Sequence, residues 1–404
     1  MRILVQKFGG TSLATEEMRL KAVEHVEAAI AEGYRVVVVV SAMGRRGDPY
    51  ATDTLLSLVS HSDALAKREL DLLMSCGELI SGVVFAGMLR KRGRETSVLT
   101  GEQAGIVTSD DFSNAQIQTI RTARILQEME KGRIVVVTGF QGATADGETT
   151  TLGRGGSDTT ATALGVALDA EYVDIFTDVE GIMTADPRIV DEARQLKRVT
   201  YTEICNLAYL GAKVIHPRAV EIAMQKNIPI RVRSTASQDA GTLVTSATDV
   251  MEGSRLTDRV LTGVTQTANV TQIRISRTPD SPFDLPLRVF DAMANNEISV
   301  DFINVTPNEI LYTVTDMEAE KAIRLLKQSD IAAEIRPGCA KIAAVGAGIH
   351  GVPGVLAKIV EALTEQEIEI LQTADSHTTI WCLVRGEDMV AAVRALHQKF
   401  ALHK

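Results

Sequence analysis

At residues 35–41 the chain reads "RVVVVVS". Val36 to Val40 show no alternation of apolar and polar positions, so the strand they predict is buried on both faces and belongs in the middle of a parallel sheet covered by helices. Four similar runs surround it: "RILVQKF" at 2–8, "RIVVVTG" at 133–139, "YVDIFTD" at 172–178 and "PIRVRS" at 229–234. Helical patterns stand between the runs, at roughly 15–32, 64–92, 114–130, 157–169 and 218–226. Up to about residue 245 this alternation predicts an α/β fold, a three-layer, doubly wound, mostly parallel sheet. Ligands of such sheets lie at the carboxyl ends of the strands, where "KFGG", "SAMG", "TG" and "TDVEG" fall.

The 404 residues exceed one ordinary core, so two or three domains are expected. Hydrophobic residues make up 45% but aromatics only 4%, leaving Val, Ile, Leu and Ala to build the core. A formal net charge of -10, with no basic stripe, speaks against nucleic acid. The N-terminal apolar stretch is too short for a signal peptide, and no run approaches the roughly eighteen apolar residues of a membrane helix, so no membrane partner and a cytoplasmic location are expected. Cys76, Cys205, Cys339 and Cys382 form no C-x-x-C pair or metal-ligand spacing and are expected to be reduced thiols.

A polar stretch, "STASQDAGTLVTSATDVMEGSRLTD", leads from the first region to a tail containing an internal repeat. "VFDAMANNEISV" at 289–300 superposes without a gap on "IVEALTEQEIEI" at 359–370, an offset of 70 that also takes "ILYTV" (310–314) onto "IWCLV" (380–384). Each copy reads strand, helix, strand, strand, helix, with one more strand from "VLTGVT" or its neighbour. "VGAGIHG" places Gly346, Gly348 and Gly351 in a G-x-G-x-x-G pattern. The chain that follows is too short for further βαβ units, so a tight loop is expected there rather than a dinucleotide site.

No P-loop occurs, and other glycine loops carry the chemistry. "TLGRGGSDTTATAL" at 151–164 removes the side chains at Gly153, Gly155 and Gly156 but keeps Arg154 and Asp158. Glycines let backbone approach a ligand, and the first N–H groups of a helix attract anions. Arg154 suits bidentate capture of a carboxylate, and Ser157 suits a cap or ligand contact. Asp158 suits Mg²⁺ or orientation of a cation, although the helix dipole favours an acid there without any ligand. "QKFGGTS" places Lys7 at a strand end beside Gly9 and Gly10, either as a phosphate cation or as an exposed lysine on an ordinary turn. Glu78 of "MSCGELIS" suits a substrate ammonium group or a solvated helix face. In "FTDVEGIMTADPR", Thr177 and Asp178 face the ligand end, and "TADPR" is expected to wrap a nucleotide. "GAKVIHPRA" adds Lys213, with His216 read as a helix-start residue rather than a base.

Together and in this order, these motifs resemble the aspartokinases of the amino-acid kinase superfamily. The tail repeats resemble that family's paired ACT domains, which are α+β and ferredoxin-like. Carbamate, acetylglutamate and uridylate kinases share only looser forms of the glycine loops. The resemblance implies a catalytic domain at 1–245, a linker at 246–261, a first ACT domain at 262–335 and a second at 336–404, with exchange of strands between the last two left open. It implies transfer of the ATP γ-phosphoryl group to the side-chain carboxylate of L-aspartate, giving 4-phospho-L-aspartate and ADP, with Mg²⁺ accompanying ATP and no direct protein metal site beyond the neighbourhood of Asp158. Lys7, Phe8, Gly9, Gly10, Thr177, Asp178, Arg188 and Lys213 fall to the nucleotide. Ser41, Glu78, Arg154 and Ser157 fall to aspartate, and Lys7 and Asp158 to catalysis. Family effectors bind where ACT domains pair across chains, which implies a homo-oligomer and singles out Asp280, Ser281, Asp301 and Asn304. "LQTADSHTTIW" is more like the diaminopimelate-sensitive isozymes of Gram-positive bacilli than lysine- or threonine-sensitive members, so meso-diaminopimelate is the favoured effector. The alternatives are a non-catalytic amino-acid sensor on a kinase scaffold and a sister kinase acting on glutamate or carbamate. An internal start near Met251 is left open.

Overall fold

A computed structural model of the chain describes residues 1–59, 65–209, 211, 214–246, 260–278, 281–349 and 351–404. The expected linker at 246–261 lies almost wholly outside the described residues, as do Met251, Lys213 and Asp280. The chain divides into two units. The first comprises Met1–Ile182, Gln195–Tyr209 and the described part of Lys213–Thr257. The second comprises Met183–Arg194, Gly211 and the described part of Asp258–Lys404.

In the first unit the valine run becomes β2 (Arg35–Val40), with Val36 to Val40 buried. It pairs in parallel with β1 (Ile3–Phe8) on one side and β6 (Ile134–Thr138) on the other. Beyond β1 lie β9 (Tyr172–Thr177) and β11 (Ile230–Ser234), and β3 (Thr96–Leu99) closes the far edge. β10 (Arg198–Thr200) and β12 (Thr242–Thr245) complete the order β10-β12-β11-β9-β1-β2-β6-β3. β12 runs antiparallel to β11, so the sheet is mostly parallel. All five strands expected from the valine-rich runs are present.

Leu4, Phe8, Val36, Val38 and Val40 turn one face of the sheet toward Ala22, Val23 and Val26 of helix Glu16–Ala31 and Phe85, Ala86 and Leu89 of helix Lys67–Lys91. Helix Gly156–Ala167 packs on β1, β2 and β9 and against helix Pro217–Met224. The result is the three-layer arrangement expected. By length and composition, helix Lys67–Lys91 could cross a membrane, contrary to the expectation that no segment approaches that size. Its inward face, with Asp71, Met74, Glu78, Ser81 and Phe85 buried, makes it a core helix here.

The expected helix at 114–130 is also corrected. Only Ala123–Glu130 is helical; Ile117–Ile120 is β5, which pairs with β4 (Ile106–Thr108) in a second sheet completed by β7 (Gln141–Ala143) and β8 (Thr149–Thr151). Backbone partners from β4 outweigh the local helical spacing.

The second unit carries one six-stranded sheet among the described residues. Its strands are β13 (Gly263–Ser276), β14 (Asp301–Val305), β15 (Glu309–Thr315), β16 (Glu334–Val345), β17 (Gln372–Asp375) and β18 (Thr379–Arg385). The order is β14-β15-β13-β16-β18-β17, with every pairing antiparallel. That excludes a dinucleotide crossover at "VGAGIHG". The repeat is visible in the backbone, since Glu297 (φ 56°) and Glu367 (φ 58°), 70 positions apart, both take the left-handed conformation.

β13 serves both copies. Ile273 and Ile275 lie in the core of the first, whereas Val264 joins that of the second with Ala340, Ile342, Ile359 and Leu396. The expected division at 335/336 therefore falls inside β16 rather than at a break. Ala185 and Val190 bury in the second copy's core, and Thr184 Oγ1 lies 3.0 Å from His397 Nε2. Thus "TADPR" folds with the tail, not with the region assigned to 1–245, because its apolar residues find their core there.

Candidate functional site

Where β1, β2 and β6 end, the first unit opens a cleft of about 330 Å³ lined by the three glycine loops. At Gly10 a Cβ would lie 2.5 Å from the Gly44 carbonyl oxygen and 2.8 Å from that of Ala42, so only glycine lets "KFGG" and "SAMG" meet so closely. Gly77 plays the same part for helix Lys67–Lys91, since a Cβ there would sit 2.8 Å from Ala42 Cβ. Gly155 has φ +71°, and its Cβ would fall 2.2 Å from His216 Cγ. The arginine loop is thereby pressed onto the start of helix Pro217–Met224, and His216 packs as a helix-start residue.

Lys7 Nζ lies 2.7 Å from Asp158 Oδ1, both side chains being 12% exposed. The His216 N–H donates to Asp158 Oδ2 at 3.3 Å. Asp158 is in the first turn of its helix, so the ammonium and the helix N-terminus hold one carboxylate between them. Burial depresses the His216 imidazole below its ordinary value.

Glu78 is 2% exposed. Its Oε1 accepts the Ala42 N–H at 3.0 Å, while Oε2 has no hydrogen-bond partner among the described residues. Loss of hydration pushes its carboxyl up to about 8, a rise the Ala42 N–H only partly offsets. On the other side of the cleft, Arg154 is exposed and makes no hydrogen bond or ion pair among the described residues. The cleft therefore offers a buried acid lacking a cation, a free guanidinium, and a lysine beside bare amides.

Of the residues singled out in the sequence, Lys7, Gly10, Ser41, Glu78, Gly153, Arg154, Gly155, Gly156, Ser157 and Asp158 line this cleft. Gly9 adjoins it, its N–H bonded to the Phe176 carbonyl. Phe8 does not line it. Its ring is fully buried and stacks on Phe176 with centroids 4.7 Å apart, so its side chain is a core element rather than a nucleotide contact. Thr177 and Asp178 end β9, with the Thr177 hydroxyl donating to Asp178 and Arg45 paired to the same carboxylate. Arg188 belongs to the second unit, where its guanidinium forks Asp186 at 2.7 and 3.0 Å, and it is not among the residues that line the cleft.

In the second unit Asp301, on edge strand β14 with the exposed Asn304, is ion-paired to Lys341 of β16. Ser281 and Thr278 are hydrogen-bonded to each other ahead of helix Leu285–Ala294.

Sequence reasoning missed Ala42, Gly44, Thr52 and Phe140, which also line the cleft. Phe140 has φ +68°, and the "TGFQG" that holds it between glycines at a strand end was the available signal. It also missed Asp71 and Arg218, whose partners lie far off in sequence.

The amino acid kinase family matches residues 2–234 and the ACT domain family residues 334–398. Aspartokinase 1 of Bacillus subtilis is 57% identical over the full length of both chains. The aspartokinase of Geobacillus stearothermophilus is 41% identical over all of this chain and 98% of its own. Among solved structures, Escherichia coli aspartokinase III in complex with aspartate and ADP, in the R-state, superposes with a TM-score of 0.79 at 26% identity, covering 98% of this chain and 99% of that one. With the glycine-lined cleft and the two-copy tail, these likenesses establish that the chain belongs to the aspartokinases of the amino acid kinase family.

Proposed function

We propose that the cleft holds L-aspartate between Glu78 and Arg154 and turns its side-chain carboxylate toward the γ-phosphoryl group of ATP, held on the Lys7 side. The observation that carries this reading is the buried, unpartnered Glu78 Oε2 in a cleft that also presents a free arginine. An amino acid with an ammonium group at one end and carboxylates at the other complements both. Ser41 and Ser157 supply hydroxyls beside those carboxylates. Gly9, Gly10, Thr177 and Asp178 fall to the nucleotide, as does the backbone rather than the ring of Phe8. Lys213 keeps its nucleotide assignment from the family resemblance alone.

Attack of a carboxylate oxygen on the γ-phosphorus forms the new O–P bond as the bond to ADP breaks, and no proton has to be removed. A general base is therefore unnecessary, consistent with His216 packing on glycine. What must be overcome is repulsion, about 4 kcal/mol for two unit charges 4 Å apart in a partly shielded site. Lys7, Arg154 and the positive N-terminal end of helix Gly156–Ala167 offset it. Mg²⁺ supplies further neutralisation when it accompanies ATP. No cluster of three ligating side chains occurs among the described residues, and of the two acids that line the cleft, Glu78 and Asp158, it is Asp158 that stands beside Lys7, a donor set that fits an ion held mainly by phosphate oxygens.

ATP-dependent formation of aspartyl hydroxamate, followed from pH 6 to 9, tests the reading. An ammonium against Glu78 favours its ionised form, so binding below pH 8 expels a proton. The apparent aspartate affinity is expected to rise by up to about tenfold per pH unit until about pH 8 and then level, while Glu78→Gln removes the slope. A flat profile in the parent enzyme detaches Glu78 from the substrate. Product from glutamate or carbamate instead of aspartate favours a sister kinase, and no product from any acceptor favours a sensor.

The effector assigned to the tail is meso-diaminopimelate, on the likeness of "LQTADSHTTIW" to the corresponding segment of diaminopimelate-sensitive enzymes. Asp280, Ser281, Asp301 and Asn304 are its proposed contacts, in a homo-oligomer joined through ACT units. Among the described residues β14 and β17 are the outermost strands of the sheet, and such strands are where a second copy can add. In a panel with lysine, threonine and methionine, meso-diaminopimelate alone is expected to inhibit, and inhibition by lysine alone would reassign the site. A cytoplasmic location agrees with four free thiols.

A further inference from the structure

We infer that Asp71, with Arg218, is a positioning residue that sets where Arg154 stands relative to Glu78 and thereby the length of acceptor the cleft takes. Asp71 is fully buried, and it accepts four hydrogen bonds. Two come from Ser113, N–H at 2.9 Å and hydroxyl at 3.1 Å, and two from Thr151, N–H at 2.7 Å and hydroxyl at 2.8 Å. Arg218 holds the same two segments by their carbonyls, donating to Leu152 O at 2.9 Å and Ala115 O at 3.0 Å. The carboxylate takes the donors and the guanidinium takes the acceptors, so both segments are fixed from two sides.

The residues so fixed bracket Gly153, the one before Arg154. Ser113 is held with φ +71°, and a Cβ on Gly153 would lie 3.0 Å from Asn114 Oδ1 and 3.2 Å from Ser113 O. Gly153 itself has φ +72°, so the loop leaves Thr151 and Leu152 in a direction set by this packing. Asp71 and Glu78 stand seven residues apart on the inward face of one helix, about 10 Å along its axis. A single rigid helix therefore carries the group that meets the ammonium and anchors the loop that meets the carboxylate.

The inference rests on the assignment of Arg154 to the acceptor, and the experiment separates the two. Asp71→Asn keeps the shape but removes the charge: with its Oδ1 on the two N–H groups, its amide NH₂ faces the Ser113 and Thr151 hydroxyls, which must then accept instead of donate, so the four charge-assisted bonds become weaker neutral ones. The expected result is an aspartate KM raised about 10- to 100-fold with the ATP KM within about twofold, the effect of an ångström-scale misplacement. The ratio of kcat/KM for aspartate over glutamate is expected to fall at least about fivefold, because discrimination against one methylene depends on a fixed separation. Thr151→Val, which removes one hydroxyl and leaves the N–H, is expected to act in the same direction more weakly, and it serves should Asp71→Asn not fold.

In an Arg154→Ala background the Asp71→Asn effect on KM is expected to vanish. A full, additive effect there, or equal damage to the ATP and aspartate constants, overturns the inference while leaving the reading of the cleft intact. An unchanged aspartate KM in Arg154→Ala alone overturns that reading first.

Discussion

Arg154→Ala is expected to raise the KM for aspartate by about two orders of magnitude and to leave that for ATP nearly unchanged. The guanidinium has no partner among the described residues, so its removal strands no buried group and leaves the fold as it was. What is lost is a bidentate, charge-assisted grip on a carboxylate, worth about 2–5 kcal/mol when the pair is shielded from water. Most of that interaction exists before the phosphoryl group moves, so the loss shows in binding more than in turnover. Arg154→Lys restores the charge but not the fork and is expected to recover only part of the affinity. Steady-state kinetics with each substrate varied checks both, and equal rises in the two constants would remove Arg154 from the acceptor site.

Lys7→Ala has the opposite signature, a kcat lowered about 10³-fold with both KM values changed little, because its ammonium is placed for charge that develops as the phosphoryl group transfers. The substitution has a second consequence. Asp158 Oδ1 keeps no counter-ion, and an unpaired, largely buried carboxylate destabilises the protein. Adding Asp158→Asn is expected to restore the melting temperature without restoring the rate. Recovery of activity in the double variant would mean that Lys7 serves only to neutralise Asp158.

The central sheet was legible because its valine runs leave no polar face and admit no other position. The cleft was legible for a related reason, in that glycines, a lysine and an arginine at strand ends have few uses besides an anion. What escaped depended on distance along the chain. Asp71 reads as a polar position on an amphipathic helix, and its meaning comes from donors 42 and 80 residues away. Ile117 and Ile120 fit a helical spacing, and only their pairing with β4 makes them a strand. The family resemblance carries Phe8 with its neighbours to the nucleotide, whereas alternation along β1 sends its ring to the opposite side from Lys7.

The placement of Ala185 and Val190 in the interior of the tail's second repeat bears on any attempt to prepare the kinase portion alone. The polypeptide leaves that portion after Ile182 and rejoins it at Gln195, so no single cut divides the chain into two intact pieces. A fragment ended near residue 245 keeps a dozen-residue detour whose apolar side chains have lost their host. A soluble catalytic fragment calls for excision of that detour and a short bridge in its place, together with removal of everything beyond the last strand of the larger sheet.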